Sequence, residues 1–190
     1  MKKSLSLVLL AVAASASGGD RLLRTEMVLD APVAEVFRAW TTEEGVKSFF
    51  APGAHIDLKV DGLYEIYFQP TAEPGHRGAE GMRILALEPD RRFAFTWSAP
   101  HDQPYVRGQR TMVVLDFDSL GPARTHLRFS QVGWGEGPEW DAAFQYFDRV
   151  WNQFVLPNLK YRFQKGPIDW NAPPHLAPIA ASLRNELVSR

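Results

Sequence analysis

The chain has 190 residues, 45% hydrophobic and 12% aromatic, with a formal net charge of −1. That length suits one domain and that composition a sizeable core, which excludes a disordered chain. The scattered Lys and Arg give no nucleic-acid footprint, and the lack of cysteine excludes disulfides, thiolate metal sites and a cysteine nucleophile.

The first segment reads as a signal peptide over residues 1–16. Lys2 and Lys3 give a positive start, residues 5–14 an apolar run, and Ala14, Ser15 and Ala16 small residues at cleavage spacing. The run is shorter than the ~20 residues a bilayer span needs. No cysteine follows it, so no lipid anchor is expected. A periplasmic or secreted protein with no stable membrane span after cleavage is the expectation.

Residues 21–29 alternate apolar and polar and predict a first strand. Asp30, Ala31 and Pro32 then open a helix, with Val33, Val36, Phe37 and Trp40 along one stripe. Thr41 with Glu44 predicts a capping box for a second short helix ending near Phe49. Strand-like segments follow at 55–60, 63–69, 80–87, 92–98, 107–117 and 125–132. Their short turns include Asp61-Gly62 and Pro89-Asp90. The loops 71–78 and 99–103 lie among them. Consecutive strands with short turns imply an antiparallel meander. Residues 138–164 predict a long helix whose stripe runs through Trp140, Phe144, Phe147, Trp151, Phe154 and Leu159. Pro157 cannot donate to the carbonyl of Gln153, so a kink is expected there. Residues 165–190 form an extension, with Trp170 in a linker and Leu176, Ile179, Leu183 and Leu187 suggesting a short amphipathic helix.

The order strand, two short helices, sheet, long helix resembles the helix-grip superfamily called SRPBCC or START-like. Within it the chain is similar to the branch named for the activator of heat-shock-protein-90 ATPase. Ala31-Pro32, Val36-Phe37 and Ala39-Trp40-Thr41 match the opening helix of that branch. Phe49-Phe50 with Pro52 stands at its Trp-Phe-type pair. Leu87-Glu88-Pro89 with residues 92–97 matches its central hairpin, and residues 125–129 with Gly133-Trp134 its last strand. Trp151 falls where a tryptophan recurs in the long helix. Asp61 replaces the first residue of a usual double glycine, and Gln131 stands where histidine is common. The resemblance covers about residues 21–162. It implies an α+β helix-grip domain over 21–164, a curved antiparallel sheet wrapped on the long C-terminal helix, with a cavity between them. The branch name implies a chaperone cofactor. An exported protein would not meet a cytosolic chaperone, so that role is not carried over.

No G-x-S-x-G, H-E-x-x-H or phosphate-loop motif is present. None of His55, His76, His101, His126 and His175 pairs with another at ligand spacing, so no metal and no cofactor are expected. The aromatic residues either fill the interior or line a hollow. The candidate cavity set is Trp40, Phe49, Phe50, Tyr64, Phe68, Phe95, Trp97, Phe144, Phe147 and Trp151, with Gln109 and Gln131 as inward polar groups. Tyr64, Glu80 and Arg110 were further polar candidates, the last two at the rim. The expected function is binding of a small, largely apolar molecule. Two alternatives stand beside it. One is an enzyme of the polyketide cyclase or dehydratase type using the same cavity. The other is a protein-interaction module using the C-terminal extension. Oligomeric state is left open.

Overall fold

The computed structural model describes residues 21–174 and Leu176. The signal-peptide expectation over 1–16 and the amphipathic helix expected near the C-terminus lie outside the described residues.

Strand β1 (Leu23–Leu29) buries Leu23, Thr25, Met27 and Leu29, the even alternation its sequence carries. Helix α1 (Val33–Thr41) follows, with Pro32 just ahead of it. Val36, Phe37 and Trp40 on its stripe are buried, so the 3.6-residue period is what docks it. Helix α2 (Glu43–Lys47) starts one residue later than the capping-box reading. Thr42, not Thr41, is the cap: its Oγ1 accepts from the N–H of Gly45 at 3.0 Å. Thr41 is inside α1 and its hydroxyl donates to the carbonyl of Phe37 at 2.9 Å.

The remaining strands are β2 (Gly53–Ile56), β3 (Tyr64–Tyr67), β4 (Gly78–Ala79), β5 (Ile84–Glu88), β6 (Arg92–Trp97), β7 (Thr111–Ser119) and β8 (Thr125–Val132). Five of them form one antiparallel sheet in the order β1-β8-β7-β6-β5, and three form another in the order β2-β3-β4. A bridge between Leu63 and Arg83 joins the two, flanked by bonds from the Tyr64 N–H to the Met82 carbonyl and from the Ile84 N–H to the Gly62 carbonyl. The expected strand over 80–87 is therefore split. Gly81, at φ 74, breaks the extension between β4 and β5. Gly62 is needed where the chain turns: a Cβ there would lie 2.0 Å from the carbonyl oxygen of Asp57. Asp61, in place of a glycine, takes φ 63, a conformation that Asp tolerates better than most residues. The segment expected as strand from 107 instead begins with a short helix, α3 (Pro104–Arg107), and β7 starts only at Thr111.

Helix α4 (Pro138–Val150) continues into a π-helical turn, Trp151–Val155, and then α5 (Leu156–Lys165). The N–H of Leu156 donates to the carbonyl of Trp151, five residues back, just ahead of Pro157. The disturbance expected from Pro157 is taken up as this widened turn, which adds a residue to one turn of the helix. The apolar stripe slips with it. Phe154 is 56% exposed and Val155 takes the inward place between Trp151 and Leu159. The core between α1, the sheets and the long helix is filled by rings. Trp40 meets Phe49 edge-on at 4.9 Å, and Tyr64 meets Phe95 at 4.5 Å. No described helix is long and apolar enough to cross a membrane.

Candidate functional site

A cavity of about 310 Å³ opens where the small sheet, the ends of β6 and the long helix meet. Phe50, between α2 and β2, forms its floor. It stacks on Trp97 at 5.6 Å and leans on Trp151 at the same distance. Trp97 touches Trp151 at 5.5 Å, and Phe147 stacks on Trp151 at 6.5 Å. Tyr146, Val150 and Val155 complete the helical wall, and the half-exposed Phe68 closes one side. Val155, four residues on from Trp151, reaches this wall, while the widened turn swings Phe154 out of it.

The rim is basic. His76, Arg77, His101 and Arg107 line the cavity and no acidic side chain does. His76 comes from the loop before β4 and His101 from the loop after β6. Their rings stack at 4.8 Å with 18° between planes. Glu80 organises the first loop: its carboxylate accepts from the N–H groups of Gly75 and Arg77 and from the Arg77 guanidinium, each between 2.8 and 2.9 Å. Burial alone would raise the Glu80 pKa, but these bonds outweigh it and hold the group below the usual carboxylate value. Arg77 also lies over the Tyr67 ring at 4.4 Å. Burial, reinforced by the bond to Glu65, pushes the Tyr67 hydroxyl up to about 12. Arg107 donates to the carbonyls of Ala99 at 2.7 Å and Gly78 at 3.0 Å, so it ties the two rim segments together. Burial, then the neighbouring Arg110, lowers its pKa. Among the described residues no group of three His, Asp or Glu is placed to hold a metal ion.

Residues 30–163 match the family model described as activator of Hsp90 ATPase homolog 1-like protein. The chain belongs to this family. Solved structures agree on its helix-grip fold. The Aha1 dimer of Colwellia psychrerythraea is 16% identical with a TM-score of 0.58, covering 77% of this chain and 98% of that one. An Hsp90 activator from Plasmodium falciparum is 15% identical with a TM-score of 0.58, covering 77% and 96%. DynU16, of the dynemicin biosynthetic locus, is 18% identical with a TM-score of 0.59, covering 78% of this chain and 49% of that one. No curated protein sequence matches the chain.

Within this helix-grip frame the twelve candidate residues separate into groups. Phe50, Phe68, Trp97, Phe147 and Trp151 line the cavity together. Trp40, Phe49, Tyr64 and Phe95 are each fully buried and lie behind it, in the core. The Tyr64 hydroxyl donates to the Trp40 carbonyl at 2.8 Å, and burial pushes its pKa well up, so it acts as a neutral fastener. Phe144 is half-buried away from the cavity, edge-on to Trp134 at 5.1 Å. Gln109 is exposed in the turn after α3, so the inward place that strand alternation assigned to it is not taken up. Arg110 beside it is also exposed, and its guanidinium donates to the carbonyls of Arg107 and Gln109.

Gln131 is fully buried but serves the cavity from behind. Its Oε1 accepts from the Trp151 indole N–H at 2.7 Å and its Nε2 donates to Thr111 Oγ1 at 2.8 Å. Thr111 in turn donates to the Trp97 carbonyl at 3.2 Å. The glutamine thereby fixes the two tryptophans of the cavity wall, using both ends of its amide. A single histidine ring would reach these partners only with a different geometry.

The sequence reading missed His76, His101 and Arg107 as one cluster. They come from two irregular loops and a four-residue helix, where no hydrophobic period operates. His76 and His101 stand 25 positions apart, with no pairing signal between them. The C-terminal segment is placed up to Pro174: the Ile168 N–H bonds the Ser48 carbonyl at 2.9 Å and the Trp170 indole donates to the Lys47 carbonyl at 2.6 Å. Trp170 thus rests on α2.

Proposed function

We propose that this domain binds a small, largely apolar molecule in the cavity between the sheet and the long helix, and that it does so outside the cytoplasm. The observation that carries the binding reading is the cavity wall itself. Four large rings, those of Phe50, Trp97, Phe147 and Trp151, meet around about 310 Å³ of free space. That volume lies at the small end of ligand pockets, and an apolar lining with few polar groups is their usual composition. Export is supported by the residues 1–16 pattern. The Hsp90 activators among the structural neighbours suggest a chaperone partner instead, but a cytosolic chaperone is out of reach of an exported chain.

NMR tests the binding reading. Adding 2-naphthamide is expected to shift the indole N–H signals of Trp97 and Trp151 and leave that of Trp170 in place. Unchanged Trp97 and Trp151 signals at saturating probe would reject it.

The stacked His76 and His101 favour one further reading, an enzyme using the same cavity. Imidazole is the commonest general acid–base group, and two rings stand at the open rim of a mostly apolar cavity. The neighbour from the dynemicin biosynthetic locus is compatible with a role in small-molecule chemistry. Retained turnover of a bound polyketide substrate by the double variant His76→Gln, His101→Gln would remove this reading.

A further inference from the structure

The apolar walls explain why a ligand would enter but not the charge at the rim. A plain hydrophobic carrier has no use for two arginines and two histidines without an acid among the lining residues. The four basic groups are not equivalent. The Arg77 guanidinium is paired with Glu80 at 2.8 Å, so its charge is already answered. Arg107 has no carboxylate partner among the described residues. Both of its hydrogen-bond partners are neutral carbonyls, those of Ala99 and Gly78. A guanidinium has five N–H donors, and these two bonds leave the others uncommitted. The side chain is half-buried, so the charge is partly stripped of water; its electrostatics name Arg110, another cation, ahead of the Glu80 carboxylate, which Arg77 already pairs. A partly desolvated charge with no ion pair of its own is costly, and an incoming anion offsets that cost.

A second observation points to the same spot. Ser98 and Trp97 both line the cavity, and the Ser98 hydroxyl and Trp97 indole N–H are buried with no hydrogen-bond partner among the described residues. Ser98 is next in sequence to Ala99, whose carbonyl Arg107 holds. Unsatisfied buried donors are uncommon in native structures and mark places where a partner is missing.

We propose that the natural ligand is an amphipathic anion, with an apolar body against Phe50, Trp97 and Trp151 and a carboxylate or similar acidic head at Arg107, flanked by His76 and His101. This rests on the cavity-binding reading and adds the head-group chemistry to it. Arg107 then has two roles: two donors lock the rim segments and the remainder receive the anion. The fixed fork of a guanidinium suits a carboxylate better than a lysine ammonium would.

The test is calorimetry with a matched pair of probes, 2-naphthoate and 2-naphthamide, on the wild-type chain and on Arg107→Gln. The two probes share their ring system and differ mainly in charge. The wild type is expected to bind the carboxylate about tenfold or more tighter, as a charge-assisted hydrogen bond implies. Arg107→Gln is expected to lose that preference while keeping affinity for the amide. Because Arg107 also braces two segments, His101→Gln serves as a second variant, with a smaller loss confined to the carboxylate. Equal affinities in the wild type would overturn the anion assignment and leave the apolar cavity standing. Binding of neither probe would overturn both readings together. A wild-type preference that persists in a folded Arg107→Gln would overturn the role of Arg107.

Discussion

Gln131 is the residue on which the cavity wall turns. A buried side-chain amide normally costs stability unless both ends are paired, and here both are. Gln131→Leu keeps nearly the same volume but leaves the Trp151 indole N–H without an acceptor. Destabilisation by about 1–3 kcal/mol is expected in urea unfolding, the cost of stranding one buried donor. The Trp151 indole resonance is expected to move as well, since its acceptor is gone. Wild-type stability in this variant would mean that the glutamine is packing and nothing more. The sequence marked Gln131 as an inward polar group and as a departure from a family histidine. Its partners, twenty positions away in either direction, became visible only through the register of β7 with β8.

At the scale of the elements, β1, α1 and β8 were legible because one face of each is buried and the hydrophobic period says which. The long helix was legible as a helix but not in its phase. Pro157 was seen as a break, yet an axial period of 3.6 cannot tell a kink from a widened turn. The consequence is testable. In a regular helix Phe154 and Val155 would both flank the line of Trp151, whereas here the widened turn swings Phe154 out and leaves Val155 in. Val155→Ala is expected to cost about 2 kcal/mol, from two lost buried methyl groups and the gap they leave. Phe154→Ser is expected to stay within about 0.5 kcal/mol of wild type, as exposed sites do. A cost for Phe154→Ser as large as that of Val155→Ala in chemical denaturation would contradict the widened turn.

The loop that carries His76 makes a prediction of its own. The Glu80 carboxylate is held below the usual carboxylate value, so its contribution to folding is present above that value and lost as pH falls through the lower, folded one. The protection of the Gly75 and Arg77 amides against hydrogen exchange, taken relative to the intrinsic rate at each pH, is therefore expected to fall between roughly pH 5 and pH 3. In Glu80→Gln these amides are expected to be less protected than in wild type already near neutrality, with little further change across that window. Wild-type protection indifferent to pH over the same range would contradict the role given to Glu80.

For the whole molecule, the helix-grip architecture was readable from element order and from the residues of the opening helix and last strand. The cavity was readable only in outline. A sequence ranks aromatics by their chance of burial, and four of the twelve candidates are buried so completely that they build the core instead of facing the space. What decides between core and wall is the joining of the two sheets at Leu63 and Arg83, together with the loops that cap the gap, and neither has a hydrophobic period. Export has its own check at this scale: N-terminal sequencing of the chain recovered from its native host is expected to begin near Ser17. A chain retaining Lys2 and Lys3 would refute it.

In the working protein the cavity is expected to hold a small molecule. Mass spectrometry of small molecules released from the native-source protein by denaturation tests it most directly. A recurrent compound is expected, near stoichiometric, with an apolar body and an acidic group, and it is expected to be absent from a variant whose cavity is filled by Ala99→Trp. Protein that is empty in every preparation, or the same compound recovered equally from the filled variant, would contradict it.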